Sequence, residues 1–455
     1  MSPVDRARLP VPGPEPPFRF PVAVKRRLVN GLNLWTVERP GLPIVSIVLL
    51  LPAGSALDPP GQPGLAAMTA DMLDEGSGSR TAIEMQEALA RIGADFDTEI
   101  GADSLALSMT LLERFVPEGL RLLADIAVRP ALAEADVERV RALRLNRLRQ
   151  LRAVPAVNAD AVFLRAVYGA HAYGHLSFGS SDCLAGLGVT DIAGFHRAQY
   201  TPARATLIGV GAFATDAFAR EAAAAFEDWH PAGPPAPAAS PLSPAAGPKL
   251  LIVDRPGAAQ TELRVGHVGV ARKVDAYYAL VVANAVLGGH FMSRLNVNLR
   301  ERMGCTYGVR SSFDYRRMAG PFSVQTSVQT SATADAVDRT MSELAAIRGP
   351  QPASEEELAL SVATLTKGYA GNFETAGQVA RALAQLVIHD LPDDSFEKFT
   401  SRIRAVTRDT ATAAARAHIN PEAAVVVAVG DCARIQGGLE RVAGLGSAAL
   451  TAADL

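Results

Sequence analysis

The stretch Val37–Ser55, VERPGLPIVSIVLLLPAGS, decides the fold, because its opening and the apolar strand behind it return 216 residues later (253 − 37). The second copy, Val253–Ala271, reads VDRPGAAQTELRVGHVGVA. Ile44–Leu51 is apolar apart from Ser46, the pattern of a short strand buried on both faces. The match also holds where the segments close. Asp191–Phe213, DIAGFHRAQYTPARATLIGVGAF, and Asp409–Asp431, DTATAAARAHINPEAAVVVAVGD, each run from a helical pattern through an xPxxA turn into a strand ending in Val-Gly. Two matches at the same relative places mark an internal duplication, and so long a period means tandem domains, not a solenoid.

Between the copies lies Trp229–Lys249, WHPAGPPAPAASPLSPAAGPK, which is too rich in proline, alanine, serine and glycine to bury a face and reads as an extended linker. The expected division is a first half over residues 1–230, a linker over 231–248 and a second half over 249–455. Each half repeats the order strand, helix, strand pair, helices, final strand. This predicts an α+β fold: two tandem homologous α/β sandwich (roll) domains, with antiparallel-rich sheets flanked by helices on one face, and not a doubly wound parallel sheet. Helices are expected over 64–76, 82–92, 134–153, 277–303 and 333–347, the last with Thr333 as its N-cap. Strands are expected over 94–112, 305–314 and 321–330.

Composition excludes several function classes. With 44 basic and 47 acidic side chains the net charge is −3, so no overall basic field attracts nucleic acid or anionic lipid. No uninterrupted run of 18 apolar residues suggests a membrane span. The N-terminal MSPVDRARLPVPGPEPPFRF lacks an apolar signal core, which points to the cytoplasm, or to the periplasm had a leader been removed. Cys183, Cys305 and Cys432 form no CxxC pair, so neither a disulfide framework nor a cysteine zinc site is signalled.

The eight histidines form no HExxH and no HxxEH. His171 and His175, in AHAYGH, flank Gly174 and read as a loop with a structural role rather than as a zinc pair. Leu287–Tyr315, LGGHFMSRLNVNLRERMGCTYGVRSSFDY, is denser in information. It carries a Gly288-Gly289 break, a helix with Arg300 in its last turn, Gly304 at the C′ position, and Tyr307 at the start of a strand. A chain reversal there brings a guanidinium fork and a phenol to one surface point, suited to a peptide carbonyl or the oxyanion formed on attack. On these residues alone, a helix-capping Arg300 and a half-core Tyr307 remain the alternative.

With these motifs, GLAAMTADMLDEGS (64–77), AHAYGH, LGGHFMSRL and LRERMGCTYGV, the chain resembles the insulinase/pitrilysin-type inverted-zincin peptidases, over about Arg27 to Val442. It is similar to the short subunits that include mitochondrial processing peptidase. The resemblance implies that Arg300 and Tyr307, seven apart, contact the substrate carbonyl. It also implies that the HxxEH helix falls on GLAAMTAD, where Ala67 and Asp71 replace the histidines, Ala70 replaces the general base, and Arg147 replaces the distal glutamate ligand. No zinc is therefore expected in this chain. What the resemblance implies is a non-catalytic subunit, paired as a heterodimer with an HxxEH-bearing paralogue that holds the zinc, and acting on unfolded peptides. Only GGH stands where the mitochondrial non-catalytic subunit has a long glycine-rich capture loop. The rival reading is a purely structural core-type subunit with no peptidase role.

Overall fold

The computed structural model describes Gly13, residues 18–230 and residues 249–451. Ile44–Leu51 is a strand buried at every position after its first, and around it a six-stranded sheet assembles. Its strands are β1 (Val24–Arg27), β2 (Asn33–Glu38), β3 (Ile44–Leu51), β4 (Asp95–Ile100), β5 (Leu105–Leu112) and β6 (Thr206–Gly211), in the order β1-β2-β6-β3-β5-β4. The second sheet contains β7 (Leu250–Asp254), β8 (Gln260–Val268), β9 (Val309–Phe313), β10 (Pro321–Gln329), β11 (Val425–Gly430) and β12 (Ala449–Leu450), in the order β12-β7-β11-β8-β10-β9. Five successive strands correspond, and only the outermost differ. β1 folds back antiparallel on β2, whereas β12 returns from the chain end to run parallel to β7. The remaining pairs are antiparallel except β2–β6 and β7–β11.

The duplicated VERPG and VDRPG do the same work twice. Arg39 N–H donates to the Gly211 carbonyl at 2.7 Å, and Arg255 N–H to the Gly430 carbonyl at 2.7 Å. The acid before each arginine accepts from the first amide of the helix after the last long strand: Glu38 from Thr215 N at 2.7 Å, Asp254 from Cys432 N at 2.9 Å. A carboxylate on an otherwise unpaired helix N–H satisfies the backbone and favours the helix dipole.

In the first half, α1 (Leu65–Asp71), α2 (Ala82–Arg91), α3 (Val116–Val128) and α4 (Glu134–Arg152) belong to one core with the sheet. The other face of each sheet is covered from across the molecule. α5 (Pro155–Tyr168) lays Ala159, Val162 and Phe163 against Val427 and Val429 of the second sheet. The helix Ala376–Ile388 sets Val379, Leu383 and Leu386 against Val48, Leu50, Ile208 and Val210 of the first. Helices therefore lie on both faces rather than one, because each half lends a helix to the other. Arg264, on β8 and 3% exposed, secures the α5 contact by donating to Asp160 at 2.6 Å and to the Ala156 carbonyl at 3.2 Å.

Several expected bounds shift for local reasons. Residues 94–112 form a hairpin, β4 and β5, because Gly101 N–H bonds back to the Ser104 carbonyl at 2.9 Å and turns the chain. Helix 64–76 stops at Asp71. Helix 277–303 breaks into Tyr277–Asn284, two widened π-turn segments (Ala285–Gly289 and Asn296–Arg302), and an extended His290 between them. Thr333 is the first helical residue and not the cap; its hydroxyl bonds to the Thr330 carbonyl and to Thr261. Trp229 belongs to the first core, where its indole N–H donates to the Tyr200 carbonyl at 3.1 Å. Residues 231–248, the expected linker, lie outside the described residues.

Candidate functional site

β4 and β9 end their sheets at equivalent places, and a cleft opens beside each. The first cleft, of about 710 Å³, lies between β4 and α4, with Phe96, Leu148 and Phe178 as apolar walls and Asp71, Asp97, Arg144 and Arg147 among its polar ones. Of the positions singled out by sequence, Ala67 and Ala70 are buried on α1, Asp71 ends that helix, and Arg147 comes to the same cleft from α4. Arg144, three residues earlier on α4, spans the gap. Its Nε donates to Asp71 Oδ2 at 2.6 Å and its Nη2 to the Ala67 carbonyl at 2.7 Å. Sequence reasoning missed Arg144, although a spacing of three puts it on the face of α4 that carries Arg147.

These side chains do not fit zinc. Two alanines offer no donor, Arg147 is a cation, and Asp71 is held by a guanidinium, whereas zinc takes about four nitrogen, sulfur or oxygen donors. Among the described residues no group of three or more His, Cys, Asp or Glu is placed to hold a metal ion.

The histidine loop serves α1 instead. Asp58 accepts from Gly64 N and Ala66 N, both at 2.7 Å, and so caps the helix. Burial pushes its carboxyl up to about 6, against the pull of those amides and of His175, whose Nε2 lies 3.8 Å away. His171 accepts from Tyr173 N through Nδ1 at 3.0 Å. AHAYGH is a loop, as its glycine suggested, and His175 faces the start of α1.

The second cleft, of about 500 Å³, is lined by Glu262, Phe291, Asn296, Tyr307, Arg310 and Gln325 among others. Tyr307 is 94% exposed. It precedes β9 rather than starting it, since local side chains take up the backbone groups there. Thr306 Oγ1 accepts from Gly308 N at 3.1 Å, and the Asn296 amide both donates to and accepts from Val309. Gly304, at φ +61°, reverses the chain after the helical turn in the left-handed conformation expected of it. Gly288 is there for space, because a Cβ would stand 2.6 Å from Ser311 Oγ.

The Arg300 guanidinium lies 3.9 Å over the ring of Phe291, which itself lines the cleft with Tyr307. Arg300 Nε also lies 3.6 Å from Glu301. The two residues make no hydrogen bond to each other; Tyr307 and Phe291 line the cleft, and Arg300 reaches it only through its contact with Phe291, which is 61% exposed. Sequence reasoning had not named Phe291. Neither Arg300 nor Tyr307 is placed as a core residue.

The family described as Insulinase (Peptidase family M16) matches residues 35–172, and the one described as Peptidase M16 inactive domain matches residues 187–365. A Streptomyces coelicolor protein named an uncharacterized zinc protease is 23% identical over 396 residues, covering 86% of this chain and 85% of its own. A Mycobacterium tuberculosis protein of the same description is 24% identical over 391 residues, covering 86% and 89%. The crystal structure of a peptidase M16 inactive domain from Pseudomonas fluorescens superposes with a TM-score of 0.84 at 23% identity, covering 90% of this chain and 97% of that one. A protease from Helicobacter pylori gives 0.83 at 17%, covering 90% and 100%. With both halves matched in sequence and the tandem fold shared, the chain belongs to the M16 peptidase family, in a form without the HxxEH motif.

Proposed function

We propose that this chain is the non-catalytic member of a heteromeric zinc endopeptidase, in which an HxxEH-bearing paralogue supplies the metal site. One observation supports the reading: Arg144 bridges Asp71 and the Ala67 carbonyl, at positions where the resemblance would put metal ligands, while Tyr307 stands bare at the mouth of the other cleft. The role assigned to Arg300 and Tyr307 is to bind the carbonyl of an unfolded peptide held at the partner's site. Tyr307 donates its phenol hydrogen to the carbonyl oxygen, and Arg300 supplies positive charge as that oxygen turns anionic. Donors already in place where charge develops lower the barrier without reorganising. Phe291 takes the guanidinium by its face, while Nε lies 3.6 Å from Glu301. The three cysteines are unpaired, in keeping with a cytoplasmic setting.

The test is to mix this chain with an HxxEH paralogue from the same host and follow cleavage of a fluorogenic peptide. Turnover is expected only in the mixture, with the lone chain inert and indifferent to chelators. Full activity in mixtures made with Arg300→Ala or Tyr307→Phe would refute the role given to the pair and leave a purely structural subunit.

A further inference from the structure

In the second cleft one charge goes unanswered among the described residues. Arg310 lines that cleft together with Tyr307, and it makes no hydrogen bond or ion pair there. Directly across the ladder stands Gln325, which is uncharged and donates to Ser323 Oγ at 3.2 Å. Glu262, the acid in the lining, is taken by Arg264 at 2.6 Å. His290, also in the lining, is bonded to Ser361, and burial holds it below its ordinary range.

The backbone beside Arg310 is closed to a peptide. β9 is the outermost strand of its sheet, and an open outer edge would invite an extended chain to pair with it. Two asparagines occupy that edge instead. Asn296 donates to the Val309 carbonyl at 2.8 Å and accepts from Val309 N–H at 3.1 Å, and Asn284 donates to the Ser311 carbonyl at 3.0 Å. Val309 and Ser311 flank Arg310, so a peptide in this cleft meets side chains and not a ladder.

We infer that Arg310 is a specificity-determining residue, which selects an acidic side chain of the peptide close to the carbonyl that Tyr307 binds. The inference rests on the role proposed above for Tyr307. Three residues of extended chain, the separation of Tyr307 from Arg310, span at most about 10 Å. The selected acid therefore falls within about three residues of that carbonyl on an extended peptide. A guanidinium fork takes a carboxylate through two parallel N–H···O bonds. In open water such a pair is worth little, but a peptide lying in the cleft excludes water and strengthens it. A lysine at the same place meets like charge, so repulsion adds to the discrimination.

The test uses the full chain and labelled peptides that differ only in carrying Glu, Gln or Lys near a fixed central residue, at each of the three positions on either side. Binding is read by fluorescence anisotropy at low and high salt, with and without the HxxEH paralogue. Cleavage of the same peptides is read in the mixture. At one position at least, the Glu peptide should exceed the Lys peptide about tenfold in affinity or kcat/KM at low salt, and the advantage should shrink at high salt. Arg310→Gln should bring the Glu-to-Lys ratio close to one, and Arg310→Glu should invert it. Arg310 is exposed, so both variants should fold. A ratio near one in the native chain, or a Glu preference that survives both variants, overturns the inference. Cleavage that depends on Tyr307 but not on peptide charge sinks the role of Arg310 and leaves the proposed function standing. Charge-selective binding lost with Arg310, in a mixture that cleaves nothing, does the reverse.

Discussion

At the edge of the first sheet, a single arginine ties α4 to α1; at the equivalent edge of the second, a tyrosine stands almost wholly in solvent. The backbones that carry them are copies, down to the acid of VERPG and VDRPG capping the helix after the last long strand. The halves differ in their outermost strands, β1 and β12, and in the side chains at the cleft mouths. A duplicated fold can therefore keep its architecture while the chemistry of each half drifts separately.

The largest expected effect tests that contrast on activity. In a mixture with the metal-bearing paralogue, Tyr307→Phe should lower turnover about 10²–10³-fold, the cost of removing one oxyanion donor. Arg147→Ala, at the first cleft, should stay within about twofold. The reverse pattern in peptide cleavage assays would mean that the first cleft, not the second, serves the reaction.

On stability the ranking inverts. Arg144→Ala removes a mostly buried guanidinium from Asp71 and from the Ala67 carbonyl, and should cost about 1.5–3 kcal/mol in urea unfolding. Arg264→Ala, which strips a more deeply buried arginine from Asp160 and Glu262, should cost about 3–5 kcal/mol. Tyr307→Ala should fall within about 0.5 kcal/mol, since so exposed a side chain packs on little. A large cost for Tyr307→Ala would show that it is a packing residue after all.

What could be read from the sequence follows from what is local. β3, β6 and β11 are near-continuous apolar runs, and the paired closings fix the duplication without any structure. The replaced positions Ala67, Ala70 and Asp71 lie on one helix and are read by counting. Arg144 needed the third dimension, because its partners are Asp71 and Ala67, more than seventy residues away. The exchanged helices were hidden for the same reason: nothing in Pro155–Tyr168 says that its apolar face meets Val427. Leu143, which the periodicity of α4 marks as core, is exposed at the mouth of the first cleft. Its apolar character is spent on a wall, which a pattern of i, i+3 and i+4 cannot tell from a core.

The smallest effect separates the halves by pH. In the first, Asp58 titrates at about 6 when folded against an ordinary 3.8, so the native state binds its proton more tightly. Its contribution is full below pH 4 and is lost as pH rises through 6, on the order of 2 kcal/mol. In the second, His389 titrates at about 4 when folded against an ordinary 6.5, so the unfolded state binds its proton more tightly. That contribution is present above pH 6.5 and is lost as pH falls through 4, and it is the weaker because the residue is only half-buried. Between pH 4 and 6 the two slopes oppose and partly cancel. Urea unfolding across that window should therefore show stability rising more steeply with pH in Asp58→Asn than in the native chain, and less steeply in His389→Gln. Parallel curves for all three would mean that neither group changes its proton affinity on folding. If only the His389→Gln curve departs from the native one, the cap on α1 is better solvated than its burial implies, and the asymmetry between the halves lies in the second alone.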